Sequence, residues 1–139
     1  QPINPMKQLI SAGATFVARA TATNLPHLLQ MMEAAMDHDG FSVIECLSEC
    51  VEFYEGAFDA ANPRKGGAFN AIPVEHDVTD ENAAYKLAGE TFPGYFGIFY
   101  KSNRPTKNAN EAKINASYQA KVKGLKDWQI LQQNFDRLK

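Results

Sequence analysis

The sequence predicts an α/β fold built on parallel strands, and three observations carry that expectation. A β-prone segment, Thr15 to Ala20, precedes an amphipathic helical stretch, and a second apolar segment follows at Phe41 to Leu47. Strand, helix and strand at this spacing form a βαβ unit, whose strands run parallel through a right-handed crossover. The second segment then ends in a polar turn that carries Cys50, and open α/β sheets place their ligands beyond the carboxyl ends of such strands.

Each element has a local reason. Asn4-Pro5 reads as a helix start, because Asn caps well and Pro at the first helical position loses no hydrogen bond. The helix runs from Met6 to Ala12, and Gly13 stops it. Thr15, Phe16 and Val17 suit the pleated surface of the first strand. Thr23 or Asn24 caps the next helix, with Pro26 in its first turn. There Leu25, Leu28, Leu29, Met32, Ala35 and Met36 recur at three- and four-residue steps as one apolar face. Gly40 ends it, and the second strand follows, interrupted by Ser42 and Glu45. Parallel strands are normally covered on both faces, so two strands and one crossover helix need further strands, expected from outside this chain.

Residues 48 to 78 read as a long connection with turn chemistry at Asn62-Pro-Arg-Lys-Gly-Gly67. Thr79-Asp-Glu caps a short helix with Ala83, Ala84 and Leu87 inside, and Pro93-Gly94 turns the chain into a third strand near Tyr95 to Tyr100. Composition then changes. Lys101 to Lys126 holds seven basic residues against one acidic residue, Glu111. A connector, a helix from about Glu111, and a last helix striped by Leu125, Trp128, Leu131, Phe135 and Leu138 are expected there. That stripe is expected to dock on the parent domain or a partner subunit. The division is 1–100 for the α/β part and 101–139 for a basic connector with a helical tail.

At 139 residues the chain has the size of one domain. Its net charge of −2 offers no global attraction to nucleic acid or acidic lipid. No apolar run approaches the roughly 20 residues of a membrane span. Gln1-Pro-Ile-Asn-Pro is not a signal peptide and opens like the middle of a longer chain. With no export signal and two cysteines only four apart, a cytoplasmic, reducing setting is expected.

The spacing of Cys46 and Cys50 leaves two readings open. Free cysteine is commonly a small buried hydrophobe; the alternative is a thiolate offered from a strand-end loop to a metal or cluster. Cys46, inside the strand, is expected in the core, and Cys50 is the better ligand. His27, His38 and His76 complete no zinc set with them. His27 and His38 read as surface or capping residues. His76-Asp77 is weighed as an acid–base pair and reads better as a loop histidine beside a helix-start carboxylate. Arg64-Lys65-Gly66-Gly67 has no dinucleotide or Walker fingerprint and reads as a solvated basic turn. No Ser-His-Asp arrangement stands out.

Taken in order, Asn4-Pro-Met-Lys-Gln-Leu, Gly13-Ala-Thr-Phe-Val-Ala-Arg19, Gly40-Phe-Ser-Val-Ile-Glu and Leu47-Ser-Glu-Cys50-Val-Glu-Phe53 resemble the second half of the β subunit of 2-oxoacid:ferredoxin oxidoreductases. The resemblance runs from residue 3 to about residue 113, through Asn62-Pro-Arg-Lys-Gly-Gly67, His76-Asp-Val-Thr-Asp80 and Arg104-Pro-Thr-Lys. It implies part of a thiamine diphosphate-binding, transketolase-like, parallel-sheet α/β domain with a helical C-terminal tail. It also implies oxidative decarboxylation of a 2-oxoacid, with 2-oxoglutarate favoured over pyruvate. Coenzyme A takes the acyl group, and electrons pass through a [4Fe-4S] cluster to ferredoxin.

Thiamine diphosphate, Mg2+ and three cluster cysteines belong to the family's amino-terminal half. The fourth ligand is the Cys of a Leu-Ser-Pro-Cys motif, which matches Cys50. Glu49 stands where that motif has Pro, which implies a less rigid turn and a negative charge beside the cluster. The implied partners are the missing half of the β subunit, an α subunit, ferredoxin, the 2-oxoacid and coenzyme A, and the fragment alone would be inactive. The competing expectation is a non-catalytic α/β interaction module that kept this subdomain as a scaffold.

Overall fold

A computed structural model of the chain describes residues 3–91 and 94–138. It divides into two compact units, Gln1–Arg104 and Pro105–Lys139. In the first unit the order is α1 (Pro5–Ser11), β1 (Phe16–Thr21), α2 (Leu25–Met36), β2 (Ser42–Leu47), two single 3-10 turns (Asp59–Ala61 and Pro63–Lys65), α3 (Glu81–Leu87) and β3 (Gly97–Lys101). The second unit holds α4 (Lys107–Val122) and α5 (Asp127–Asp136).

The caps form where local chemistry asks for them. Asn4 Oδ1 accepts the Lys7 N–H at 3.0 Å, and Asn24 Oδ1 accepts that of His27 at 3.3 Å. Gly13 leaves α1 with φ +85°. Asp80 Oδ1 takes the N–H groups of Asn82 and Ala83 at the start of α3. Asn4 also donates through Nδ2 to the Ala88 carbonyl at 2.7 Å, tying the start of α1 to the end of α3.

The sheet order is β2-β1-β3. β1 and β2 run parallel in register from Phe16↔Ser42 to Thr21↔Leu47, as the βαβ spacing requires. β3 lies on the other side of β1 and runs antiparallel, with a register break between Val17 and Ala18. The sheet is therefore mixed, and the third strand expected near Tyr95 to Tyr100 forms at Gly97–Lys101 as one neighbour of β1. Every residue of β1 is buried, while β2 forms an edge whose residues are half-buried or exposed. Gly97 enters β3 at φ +138°, a conformation that L side chains rarely adopt. The turn expected at Pro93-Gly94 has its proline outside the described residues.

One layer of core packs Met6 and Ile10 of α1 and Ala84 and Ala88 of the α3 segment against Val17, Phe99 and Tyr100. Removing an apolar side chain of this size from water contributes roughly 1.5–3 kcal/mol. α2 also packs on β1 and β2, but turned from the expected face. His27, Leu28, Met31, Ala34, Ala35 and His38 are half-buried or buried, while Leu25, Leu29, Met32 and Met36 stay exposed, Met36 at 82%. Tertiary hydrogen bonds accompany that rotation: Ser42 Oγ donates to the Ala35 carbonyl at 3.0 Å, and His38 Nε2 meets Thr15 Oγ1 at 2.9 Å.

His38 is thus a core residue, 8% exposed with its ring 5.6 Å from that of Phe16, and not the surface residue expected. His27 lies edge-on against Phe69 at 4.9 Å, and Phe69 stacks on Phe96 at 4.7 Å. Histidine pairs a flat ring with a polar edge, so a buried contact is as available to it as a solvent-facing one.

In the second unit, Thr106 Oγ1 accepts the Ala109 N–H and starts α4 at Lys107, four residues before Glu111. Gly124, at φ +83°, lies between the two helices. Of the expected stripe, Trp128, Leu131 and Phe135 lie on α5 and are exposed, while Leu125 and Leu138 fall just outside the helix. No helix among the described residues is long and apolar enough to cross a membrane.

Candidate functional site at the end of strand β2

β2 closes its pairing where the Ala22 N–H meets the Leu47 carbonyl at 2.9 Å. Cys50 stands three residues further on, exposed, in the strand-end loop where the sequence placed it. Its carbonyl accepts the Tyr54 N–H at 2.9 Å, which makes 50–54 a closed turn. Val51, Phe53 and Tyr54 around that turn are exposed, Phe53 at 93%. A thiol among uncovered apolar side chains suits a ligand that a further surface would cover.

Cys46 was expected in the core, but it too is exposed. It pairs with Ala20 of β1 and lies on the edge strand, so one flank has no neighbour among the described residues. No three His, Cys, Asp or Glu side chains converge as a metal site among the described residues. A [4Fe-4S] cluster takes four thiolates, and a single exposed cysteine fits that group only as one corner.

The loop behind Cys50 is folded, not slack. Glu49 Oε1 accepts the Gly56 N–H at 2.6 Å, and Gly56 adopts φ +74°. Lys65 Nζ lies 2.8 Å from Asp59 Oδ1 and 3.6 Å from Glu49 Oε1. The hydrogen bond to Asp59 holds the Lys65 ammonium above its usual range. Ala68 donates to the Ala60 carbonyl at 2.8 Å, and a Cβ at Gly67 would collide with the Asp59 carbonyl and Ala60 backbone. Ala61 is buried beneath. Glu49 thus ties the turn to Gly56 by a charged hydrogen bond. Lys65 is engaged within the loop itself.

The remaining candidates separate. His76 Nε2 lies 2.8 Å from the Phe99 carbonyl. Asp77 accepts from Thr79 N and Oγ1 at 2.8 and 2.7 Å, which holds its carboxyl below the usual range. The two groups serve different partners, as a loop histidine and a turn carboxylate would. A pair missed in the sequence lies elsewhere: Arg19 Nε meets Glu45 Oε2 at 2.5 Å, with the guanidinium 5.4 Å from the Phe99 ring centre. They border a cleft of about 460 Å³ with Ile3, Asn4, Leu47 and Glu90. Charged residues at matching positions of paired strands were the available signal.

No protein-family model matches the chain. A 2-oxoglutarate oxidoreductase subunit KorB of Mycobacterium tuberculosis is 36% identical over 75 residues, 54% of this chain and 20% of that protein. The β subunit of a 2-oxoacid:ferredoxin oxidoreductase of Aeropyrum pernix is 41% identical over 51 residues, 37% of this chain and 16% of that protein. A solved 2-oxoglutarate:ferredoxin oxidoreductase of Magnetococcus marinus, with 2-oxoglutarate, coenzyme A and succinyl-CoA bound, superposes with a TM-score of 0.71. That superposition covers 95% of this chain and 44% of the other, at 28% identity.

The chain is homologous to part of the β subunit of 2-oxoacid:ferredoxin oxidoreductases. It spans about a fifth of the curated relatives and under half of the solved 2-oxoglutarate enzyme chain.

Proposed function

We propose that this chain is the carboxy-terminal part of a thiamine diphosphate-dependent 2-oxoacid:ferredoxin oxidoreductase β subunit, and that Cys50 closes its [4Fe-4S] cluster. Residues 1–100 complete the thiamine diphosphate domain, and 101–139 form a basic connector and an amphipathic helix. Thiamine diphosphate, Mg2+ and the other three cluster thiolates come from the amino-terminal half. The α subunit, coenzyme A and ferredoxin complete a cytoplasmic assembly, and the chain alone is inactive.

The observation that carries this reading is the exposed Cys50 thiol just past the end of a parallel strand, in a chain whose fold matches a 2-oxoglutarate enzyme along nearly its whole length. Two of the matched proteins are named for 2-oxoglutarate, which supports that acid over pyruvate. When bound, the cluster carries single electrons between the substrate site and ferredoxin. The part of this chain is to deliver Cys50 as a deprotonated sulfur and to follow it with the exposed Val51, Phe53 and Tyr54, whose burial on assembly lowers the local dielectric and so tunes the potential.

The test is Cys50→Ala in the full-length β subunit assembled with its α subunit. Iron content and 2-oxoglutarate-dependent ferredoxin reduction should both fall, and Cys46→Ala should leave both near the parent's. Unchanged iron in Cys50→Ala removes the ligand assignment.

A further inference from the structure

We propose that Glu49 is a positioning residue for the Cys50 thiol, acting with Lys65 as a charge-matched latch on the loop that follows β2. The proposal rests on the reading of Cys50 as a cluster ligand. Three observations carry it. Glu49 directly precedes Cys50, and its Oε1 takes the Gly56 N–H at 2.6 Å, which closes a loop from 49 to 56 that includes Cys50. The Cys50–Tyr54 hydrogen bond lies within the span that it closes. Lys65, from the second 3-10 turn, reaches both Asp59 and Glu49, so the same carboxylate ties the turn to the folded 59–68 segment.

A hydrogen bond to a carboxylate is stronger than one between neutral groups. The Glu49 side chain is only 28% exposed, so water competes for it less than for a free surface carboxylate. The arrangement therefore does two things at once. It restrains the backbone that carries Cys50, and it pairs the negative charge of the residue next to Cys50 with a positive one 3.6 Å away. Those two roles separate by substitution. Glu49→Gln keeps an oxygen to accept the Gly56 N–H and removes the charge. Glu49→Ala removes both. Lys65→Met keeps the Gly56 bond and leaves the Glu49 charge unmatched.

The experiment has two readouts on the full-length subunit assembled with its partner. Amide hydrogen exchange at Gly56 should quicken about tenfold in Glu49→Ala, as the loss of one charged hydrogen bond implies, and stay near the parent rate in Glu49→Gln. Iron retention should fall in Glu49→Ala and hold in Glu49→Gln. The cluster reduction potential should rise in Glu49→Gln and fall in Lys65→Met, since a nearby negative charge disfavours the added electron and a positive one favours it. A merely structural role would not move the potential in opposite directions.

Unchanged Gly56 exchange in Glu49→Ala overturns the latch. Quickened exchange with unaltered iron and potential shows a latch that does not serve Cys50, and overturns the positioning role. Iron retained in Cys50→Ala would instead remove the ligand reading and the positioning role with it, an outcome distinguishable because the Gly56 exchange still reports the latch.

Discussion

Arg19 and Glu45 face each other across the parallel pair β1 and β2, Nε to Oε2 at 2.5 Å, with their side chains 9% and 18% exposed. An ion pair this sheltered adds little net stability over an apolar pair, but truncating one member loses a charged hydrogen bond across the strand pair. Glu45→Ala should therefore destabilise the first unit by about 2 kcal/mol, and the double change Arg19→Met with Glu45→Leu by clearly less. Urea denaturation of the two variants checks this, and equal losses would show that the pair is not coupled.

The edge position of β2 predicts the behaviour of both thiols. Cys46 and Cys50 are exposed and free, so both should react with a thiol reagent in the native chain, without denaturant. One reactive thiol per chain would return Cys46 to the core.

His27 links the packing of α2 to pH. Burial lowers its pKa from the ordinary value of 6.5, and its Nδ1 is buried with no hydrogen-bond partner among the described residues. The unfolded chain then binds the proton more readily than the folded one between the lowered value and 6.5. Stability from the neutral ring is fully present above the unfolded value and is lost as pH falls through the folded one. Denaturation midpoints should decline from pH 7 toward pH 5, and His27→Phe, which can still pack on Phe69, should flatten the slope. An unchanged slope in that variant would assign the pH dependence to other groups.

Gly67 tests the compactness of the loop behind Cys50. A Cβ there meets backbone of Asp59 and Ala60, which cannot swing aside as a flexible side chain can. Gly67→Ala should cost on the order of 1–3 kcal/mol and quicken exchange of the Ala68 amide, while Gly66→Ala meets no nearby atom and suffers only the strain of its positive φ. Equal exchange in parent and Gly67→Ala would mean the loop relaxes freely.

What the sequence by itself determined is local. Asn4 before Pro5, Asn24 of the Thr23–Asn24 pair and Asp80 of Thr79-Asp-Glu set helix starts through partners two or three residues away, within a residue or two of where the sequence puts them. The βαβ order required β1 and β2 to be parallel, and the strand-end position of Cys50 followed from it. Thr106, after Pro105, sets the start of α4 in the same local way, four residues before the Glu111 that the basic stretch pointed to.

Only the tertiary structure decided which side of each element is covered. The antiparallel return of β3 buried β1 completely and left β2, with Cys46, on an edge. Contacts from Thr15 to His38 and from Ser42 to Ala35 accompany a rotation of α2 that buries one histidine, half-buries another and exposes four apolar residues. Glu49, Gly56 and Lys65 met because a long loop folded back on itself. Capping depends on atoms a turn away, which the order of residues specifies directly. Burial depends on neighbours tens of residues distant, and periodicity names an apolar face without naming what will cover it.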